Sequence, residues 1–135
     1  MLNFDLKPYE WQNDMPIIMQ NIDLTKIEFD NKSILFKFFS ANSEEPPTDK
    51  YILCNNVWVF SEQNNLRQED NFPIFICDVR LAILKNSSEI KSAFDYLGYG
   101  FDNIPSSREY SLLCIDSGEI SIELLCETVV EGIQS

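Results

Sequence analysis

Residues 109–131 read EYSLLCIDSGEISIELLCETVVE, and this stretch decides the fold. Two runs in which apolar and polar residues alternate flank the pair Ser117-Gly118. A two-residue connection that contains Gly is typical of a tight antiparallel β-hairpin. With that loop, Asp116 is expected to lie opposite Glu119, and the two strands continue outward from this pair.

The two faces of the hairpin are predicted to have different environments, because side chains on a β-strand alternate between two faces. The apolar face is expected to be core, and it holds Leu113, Ile115, Ile120, Ile122, Leu124 and Cys126. The other face is acidic and partly apolar, and it holds Tyr110, Leu112, Cys114, Asp116, Glu119, Ser121, Glu123, Leu125 and Glu127. Residues 109–135 contain six acids and no Lys or Arg, which is half of the net charge of −12. We therefore expect the second face to be the most negative surface of the protein.

Other segments also fit strands. A second hairpin is predicted over residues 22–40, and its turn at 30–33 places Phe29 opposite Ile34. The core side of this hairpin is expected to hold Thr25, Ile27, Phe29, Ile34, Phe36 and Phe38. Residues 51–60 are rich in β-branched and aromatic types, and Asn55-Asn56 interrupts them as either a bulge or a tight turn. Residues 72–85 fit a strand better than a helix, and their apolar face consists of Phe75, Cys77, Val79, Leu81 and Ile83.

One helix is predicted near residues 88–97, where Ser87 or Ser88 is placed to cap the first turn and Gly98 to end the last. The polar segments 41–50, 61–72 and 99–107 are predicted connections. Residues 1–21 have no clear element, but we expect their aromatic side chains to pack against the domain: Phe4, Tyr9 and Trp11. Together these elements indicate an α+β fold with a mostly antiparallel sheet of about six strands and two hairpins. The short helix is expected to pack on the sheet or to plug one end of a partly open barrel.

Composition predicts one compact soluble domain spanning residues 1–135, since 44% of the residues are hydrophobic. The first residues carry acids and Pro8 where a secretory signal would need a basic flank and an apolar run. No window approaches the roughly 20 apolar residues that a membrane-spanning helix needs. We therefore expect a cytoplasmic protein, and we expect its four cysteines, all in apolar runs, to be buried free thiols.

The residue types exclude several classes of function. The sequence has no His, so a Ser-His or Cys-His nucleophile cannot form within the chain, and four scattered cysteines do not predict a zinc site. It has no Gly-rich phosphate-binding motif, so no cofactor is predicted. Ten basic against 22 acidic residues disfavour nucleic acids and anionic membranes as partners, because both need clustered Lys and Arg. The electrostatic complement of this chain is a basic protein.

Three interpretations of the acidic hairpin face stay open. It is a solvated surface, a surface that docks a partner, or a carboxylate pair that binds Ca²⁺ or acts as acid and base. Asp78 and Arg80 raise a similar choice, because they lie two residues apart on one face of a strand. We interpret them as a surface ion pair, with a buried functional pair as the alternative.

The leading hypothesis is a small acidic binding protein, not an enzyme, that docks on and neutralises a basic protein partner. Bacterial immunity proteins act in this way on toxin domains, and the analogy rests on size and charge. Acids interleaved with apolar side chains supply both electrostatic steering and desolvated contacts. The predicted partner-binding residues are Tyr110, Asp116, Glu119, Glu123 and Glu127.

Two alternatives belong to other classes. One is a small-ligand-binding domain or weak enzyme with an aromatic pocket between sheet and helix, lined by Phe36, Phe38, Phe94 and Tyr96. The other is an oligomeric structural subunit that pairs exposed sheet edges.

Overall fold

A computed structural model describes residues 2–40, 47–64, 72–99, 109–118 and 120–134. Within these ranges the chain forms two short helical segments, six strands and one longer helix. In chain order these are α1 Pro8–Trp11, a 3-10 turn Gln12–Asp14, β1 Ile17–Asp30, β2 Ser33–Ser40, β3 Thr48–Asn64, β4 Ile74–Leu84, α2 Ser87–Tyr96, β5 Tyr110–Asp116 and β6 Ile120–Gln134. No helix in the described ranges is long and apolar enough to cross a membrane.

All six strands belong to one antiparallel sheet that closes on itself in the order β1-β2-β3-β6-β5-β4. The predicted fold class is therefore confirmed: a mostly antiparallel six-stranded sheet with one short helix. Of the two positions that the sequence left open for the helix, packing on the sheet is the observed one, since α2 contributes to a cluster outside the ring.

The interior of the ring is filled by side chains from every strand. We call this set the interior cluster, and its buried members are Met19, Ile22, Leu24, Ile34, Phe36, Phe38, Ile52, Cys54, Ile74, Ile76, Val79, Leu113, Ile115, Ile120, Ile122, Leu124 and Cys126. Most of them alternate along their strands, as the period of a strand requires. All six residues predicted for the core side of the C-terminal hairpin lie in this cluster.

The register of that hairpin differs from the prediction. Ser117 N donates to Ile120 O over 2.9 Å, so Ser117 pairs with Ile120 and is not part of the loop. Asp116 accordingly lies opposite Ser121. The slip is two residues, and a slip of two keeps every side chain on its own face. The predicted faces were correct although the predicted pairs were wrong.

The apolar side chains on the second face of the hairpin are covered and not exposed to solvent, which corrects that part of the prediction, whereas Asp116 on the same face is exposed. The apolar members of this face lie in an outer cluster with the N-terminal segment and α2: Leu2, Trp11, Met15, Leu84, Ile90, Ala93, Phe94, Tyr110, Leu112, Cys114 and Leu125. Phe4 packs against this cluster as predicted, Trp11 is fully buried within it, and the Tyr9 side chain lies outside the described part of the chain. β5 is therefore buried on both faces from Tyr110 to Ile115.

The N-terminal hairpin pairs Phe29 with Ile34, as predicted. It begins earlier, at Ile17, and its register shifts between Leu24 and Lys26. This irregularity turns Leu24 into the interior cluster and leaves Thr25 exposed, contrary to the expected core face. Phe29 was also expected in the core, but it is 64% exposed and packs edge-on against Phe60.

β3 is one strand, so the tight-turn alternative at Asn55-Asn56 is wrong. Asn56 takes a positive φ of 53°, and the register with β6 shifts between Val57 and Val59. An extra residue in one strand is what defines a bulge. The strand also runs over 48–50 and 61–64, which the sequence assigned to connections.

Residues 74–84 form a strand, as favoured, but the predicted apolar face is right for only two of its five residues. Val79 is buried and Leu81 packs against the interior cluster, whereas Phe75, Cys77 and Ile83 are exposed. Ile74 and Ile76 point inward instead, so the strand changes phase before Val79. Cys77 is thus an exposed thiol, while the other three cysteines are buried as expected.

α2 lies where the helix was predicted, but its cap is different. The side chain of Asn86, not Ser87 or Ser88, accepts a hydrogen bond from Ser88 N over 2.8 Å. Asn is a preferred N-cap residue because its short side chain satisfies an orphan amide of the first turn. Gly98 follows the helix with φ of 78°, a conformation that glycine adopts without strain.

Candidate functional site

Two rows of polar side chains lie on the outer face of β4, β5 and β6. In the first row, Asp78 lies opposite Asp116, which lies opposite Ser121. In the second row, Arg80 lies opposite Cys114, which lies opposite Glu123. The rows are two residues apart on each strand, so they share a face and sit side by side.

A small cleft opens over these rows, beneath the N-terminal segment. Its volume is about 90 Å³, and its walls are formed by Gln12, Asn13, Asp78, Arg80, Cys114 and Asp116. We call it the carboxylate cleft. Glu123 borders it on the neighbouring strand, opposite Cys114.

Arg80 fastens the N-terminal segment over the cleft. Its Nη1 donates to Gln12 O over 3.1 Å and to Met15 O over 3.0 Å. Its Nη2 lies 3.8 Å from Asp78 Oδ2, and only 16% of the Arg80 side chain is exposed. The prediction of a simple surface ion pair is therefore wrong: the guanidinium is partly buried, and its Nη1 group serves two backbone carbonyls of the N-terminal segment.

Glu123 is held beneath the helix-covered part of the face. Tyr96 Oη donates to its Oε1 over 3.2 Å, while its Oε2 is buried without a hydrogen-bond partner among the described residues. Burial raises the pKa of Glu123, and the charge of Asp116 adds to that rise. Hydrogen bonds from Tyr96 and the Gln12 side chain lower the pKa but do not offset the burial.

Asp116 lies at the open side of the cleft. Burial raises its pKa first, and the neighbouring carboxylate of Asp78 raises it further. The amide of Ser117 and the charge of Arg80 pull the pKa back only in part. Asp78 receives a hydrogen bond from Gln20 Nε2 over 3.2 Å. The cleft thus places the carboxylates of Asp78 and Asp116 beside one guanidinium that also serves two backbone carbonyls, with Glu123 at its border.

The Cys114 thiol at the floor of the cleft is not a nucleophile in this setting. Burial raises its pKa well above the ordinary value, and the charges of Glu123 and Asp116 add to the rise. A thiol is reactive as the thiolate, which these surroundings disfavour. Its Sγ contacts Met15 Sδ at 3.8 Å.

The structure brings together only part of the predicted site. Asp116 and Glu123 both adjoin the cleft. Tyr110 is fully buried beside Phe94, with ring centroids 5.3 Å apart, so its expected place on an exposed face is wrong. Glu127 is half-buried further along β6, and Glu119 lies outside the described residues.

Sequence reasoning missed Asp78, Arg80 and Gln12 as neighbours of Asp116. The alternation of β4 does place Asp78 and Arg80 on one face, and that was the available signal. Their position beside the acidic hairpin depends on the pairing of β4 with β5, across the residues between 84 and 110. The position of Gln12 depends on how the N-terminal segment folds back.

The four aromatic residues predicted to line one pocket between sheet and helix do not lie around a common pocket. Phe36 and Phe38 fill the interior of the ring, whereas Phe94 and Tyr96 belong to the outer cluster. The wall of the sheet separates the two pairs. Tyr96 does line a separate open groove, next to Phe4.

Among the described residues, no group of three or more Cys, Asp or Glu side chains is arranged to hold a metal ion. The three carboxylates adjoining the cleft are not an exception, because Arg80 and the N-terminal segment occupy their surroundings.

Comparison with known proteins supplies the fold and no activity. A protein-family model matches residues 17–132 of the chain. The chain belongs to this family. No curated protein matches the sequence. A crystal structure of an uncharacterized protein from Neisseria gonorrhoeae is similar, with a TM-score of 0.54 and 24% identity over 86% of this chain and 94% of that chain. This likeness concerns the fold alone.

Proposed function

We propose that the protein is a small acidic binding protein that docks on a basic protein partner and neutralises it, in the manner of a bacterial immunity protein acting on a toxin. The proposal includes a cytoplasmic location, in line with four free cysteines. It assigns no catalytic role to the chain.

One observation carries the proposal: the carboxylate cleft holds negative charge that the fold does not balance. The pKa values of Asp116 and Glu123 are raised by burial and by neighbouring carboxylates. Ionising these groups at neutral pH therefore costs free energy in the isolated protein. A cation that docks at the cleft relieves that cost.

The size of the cleft favours the tip of a side chain over a small-molecule ligand. Its volume is about 90 Å³, whereas pockets for drug-sized ligands hold roughly 300–1,000 Å³. The ammonium of a Lys or the guanidinium of an Arg matches both the volume and the charge. Such a group on a protein surface brings its own scaffold, so the cleft needs to enclose only the charged end.

The remaining charge distribution extends the attraction beyond the cleft. β6 also carries Glu127 and Glu131, and residues 109–135 contain no Lys or Arg. A surface of one sign steers an oppositely charged partner during encounter, and salt weakens the steering. The predicted partner-binding set therefore becomes Asp78, Asp116 and Glu123 at the cleft, with Glu127 nearby and Tyr110 removed.

The test is affinity capture from the native cell at low salt, followed by mass spectrometry, with two matched variants. One removes the charges at the cleft through D78N, D116N and E123Q together. The other removes three exposed acids elsewhere through Glu10→Gln, Asp30→Asn and Glu109→Gln, so that both variants have the same net charge.

The expected result is a basic partner that the wild-type protein and the control variant retain and the cleft variant loses. Its affinity should fall steeply with added salt. If that partner has an activity, the wild-type protein should inhibit it and the cleft variant should not. A partner retained equally by both variants would contradict the assignment of the cleft, and capture of acidic proteins alone would contradict the function.

A further inference from the structure

The outer face carries a second concave feature, a groove of about 630 Å³ between the N-terminal segment and α2. Phe4 and Asp5 form one wall, and Asp95 and Tyr96 form the other. Neither Asp5 nor Asp95 forms an ion pair within the described ranges. We call this feature the aromatic groove.

The base of the groove is built from rings. The centroids of Phe4 and Tyr96 are 5.3 Å apart, and both pack on the buried indole of Trp11, at 4.7 and 5.2 Å. This three-ring cluster fixes the two walls relative to each other. Leu2 N donates to Glu89 Oε2 over 2.9 Å and fastens the N-terminal wall to α2 a second time.

Aromatic faces and carboxylates together define the chemistry of the occupant. A cation gains from the face of an aromatic ring, and arginine combines that contact with paired hydrogen bonds to a carboxylate. Asp5 and Asp95 are both exposed, so they remain accessible to an incoming group. Lys91 lies one helical turn before Asp95, also exposed, and is the nearest cation on α2.

We propose that the aromatic groove binds an arginine side chain of the basic partner, as a second anchor beside the carboxylate cleft. The identity of the occupant rests on the proposed function. The two sites adjoin the same residue, because Tyr96 lines the groove with its ring and donates its hydroxyl to Glu123. A partner that presents two basic side chains, one of them an arginine, engages both sites at once and gains affinity from the linkage.

The probe is arginine with its amino group acetylated and its carboxyl group amidated, titrated into ¹⁵N-labelled full-length protein. Its matched control is the citrulline equivalent, which keeps the planar shape and lacks the charge. The expected result is chemical-shift change centred on Asp5, Asp95 and Tyr96 with arginine, weaker change with the lysine equivalent and none with citrulline.

Two variants separate the groove from general acidity. D5N with D95N should weaken arginine binding about tenfold, the equivalent of one lost hydrogen-bonded contact, while D30N with E109Q should not weaken it. Equal binding of citrulline, or shifts spread evenly over all acids, would overturn the inference.

The same variants distinguish failure of this inference from failure of the proposed function. If a basic partner is lost by the cleft variant and kept at full affinity by D5N/D95N, the groove assignment is wrong and the function stands. If the arginine probe binds in the groove but the cleft variant captures its partner normally, the groove is a cation site and the cleft assignment is wrong.

Discussion

The interior of the ring and the outer face of β4, β5 and β6 are both packed, yet they are assembled by different means. The interior cluster comes from alternate residues of all six strands and needs nothing beyond the sheet. The outer cluster needs the N-terminal segment and α2, which come from other parts of the chain. Half-buried charges such as Arg80 and Glu123 lie on the outer face. The ring is thus the scaffold, and its covered outer face is where polar groups are held in unusual surroundings.

The largest effects are expected at two consecutive residues of β5. Leu113 lies in the interior cluster and Leu112 in the outer cluster, and both are fully buried. If the outer cluster is a true core, Leu112→Ala and Leu113→Ala should each lower the free energy of unfolding by about 2–5 kcal/mol. Urea denaturation measures both values. A loss below about 1 kcal/mol for Leu112→Ala alone would mean that the outer covering adds little stability.

A second prediction concerns the tether of the outer covering. Arg80→Ala removes donors from the carbonyls of Gln12 and Met15 and leaves Asp78 without its cation. A hydrogen bond that involves a charged group contributes about 1.5–3 kcal/mol to stability, so we expect the free energy of unfolding to fall by an amount of that order. Chemical denaturation should report the loss, and Trp11 fluorescence should change before global unfolding.

The control for the tether is Arg80→Lys, which keeps the charge and cannot form the same fork of hydrogen bonds. It should recover part of the stability and not all of it. Full recovery of stability by Arg80→Lys would show that the positive charge alone stabilises the protein, and would contradict a role for the two hydrogen bonds to backbone carbonyls.

The helix of the outer covering supplies a smaller effect. Asn86→Ala removes the cap of α2 and should lower the free energy of unfolding by about 1 kcal/mol. Ser87→Ala is the matched control, because Ser88 N donates its hydrogen bond to Asn86 Oδ1 and not to the side chain of Ser87. Thermal or urea unfolding of the two variants decides between the residues, and an equal loss from Ser87→Ala would contradict the observed cap.

The smallest effect is on the pH dependence of stability. The folded pKa of Glu123 is raised, so the folded protein holds this proton more tightly than the unfolded chain does. The stabilisation that this bound proton gives the folded state is fully present below the unfolded pKa of about 4. It is lost as the pH rises through the pKa of Glu123 in the folded state. Glu123→Gln should therefore stabilise the protein near pH 7, by less than about 1 kcal/mol because the residue is only half-buried and solvent screens it.

This gain should shrink on acidification and vanish below the unfolded pKa, where Glu123 is protonated in both states. Urea titrations of wild-type protein and variant across pH 3–8 measure the difference. A gain that does not change with pH would mean that the effect of the substitution comes from packing.

The sequence predicts the interior of the ring better than the outer face, and the reason is periodicity. Ile115 and Ile120 were assigned to the correct side even with the wrong loop, because a slip of two residues preserves the face. Thr25 and Phe75 were assigned wrongly because irregularities in β1 and β4 change the phase of the alternation. A local pattern carries no signal for the position of such an irregularity.

The candidate site was less predictable for a different reason. Tyr110 and Glu123 lie on a hairpin face that is rich in acids, which is typical of a face exposed to solvent. Nothing in the local sequence indicates that residues 2–16 and α2 cover this face. Asp116 meets Asp78 only through the pairing of β4 with β5. The acidic character of the face was visible in the sequence, whereas its enclosure is a property of the tertiary structure.

β5 has a consequence for how the protein tolerates variation. A strand with one solvent face accepts polar residues at every second position, so a map of tolerated substitutions shows a period of two. Five of the six residues from Tyr110 to Ile115 instead belong to one of two packed clusters, and the sixth, Ser111, is buried between them. Saturation mutagenesis should find six consecutive positions that reject charged residues, with no alternation. A record of natural variants would carry the same unbroken run, which resembles the signature of a strand buried within a much larger protein.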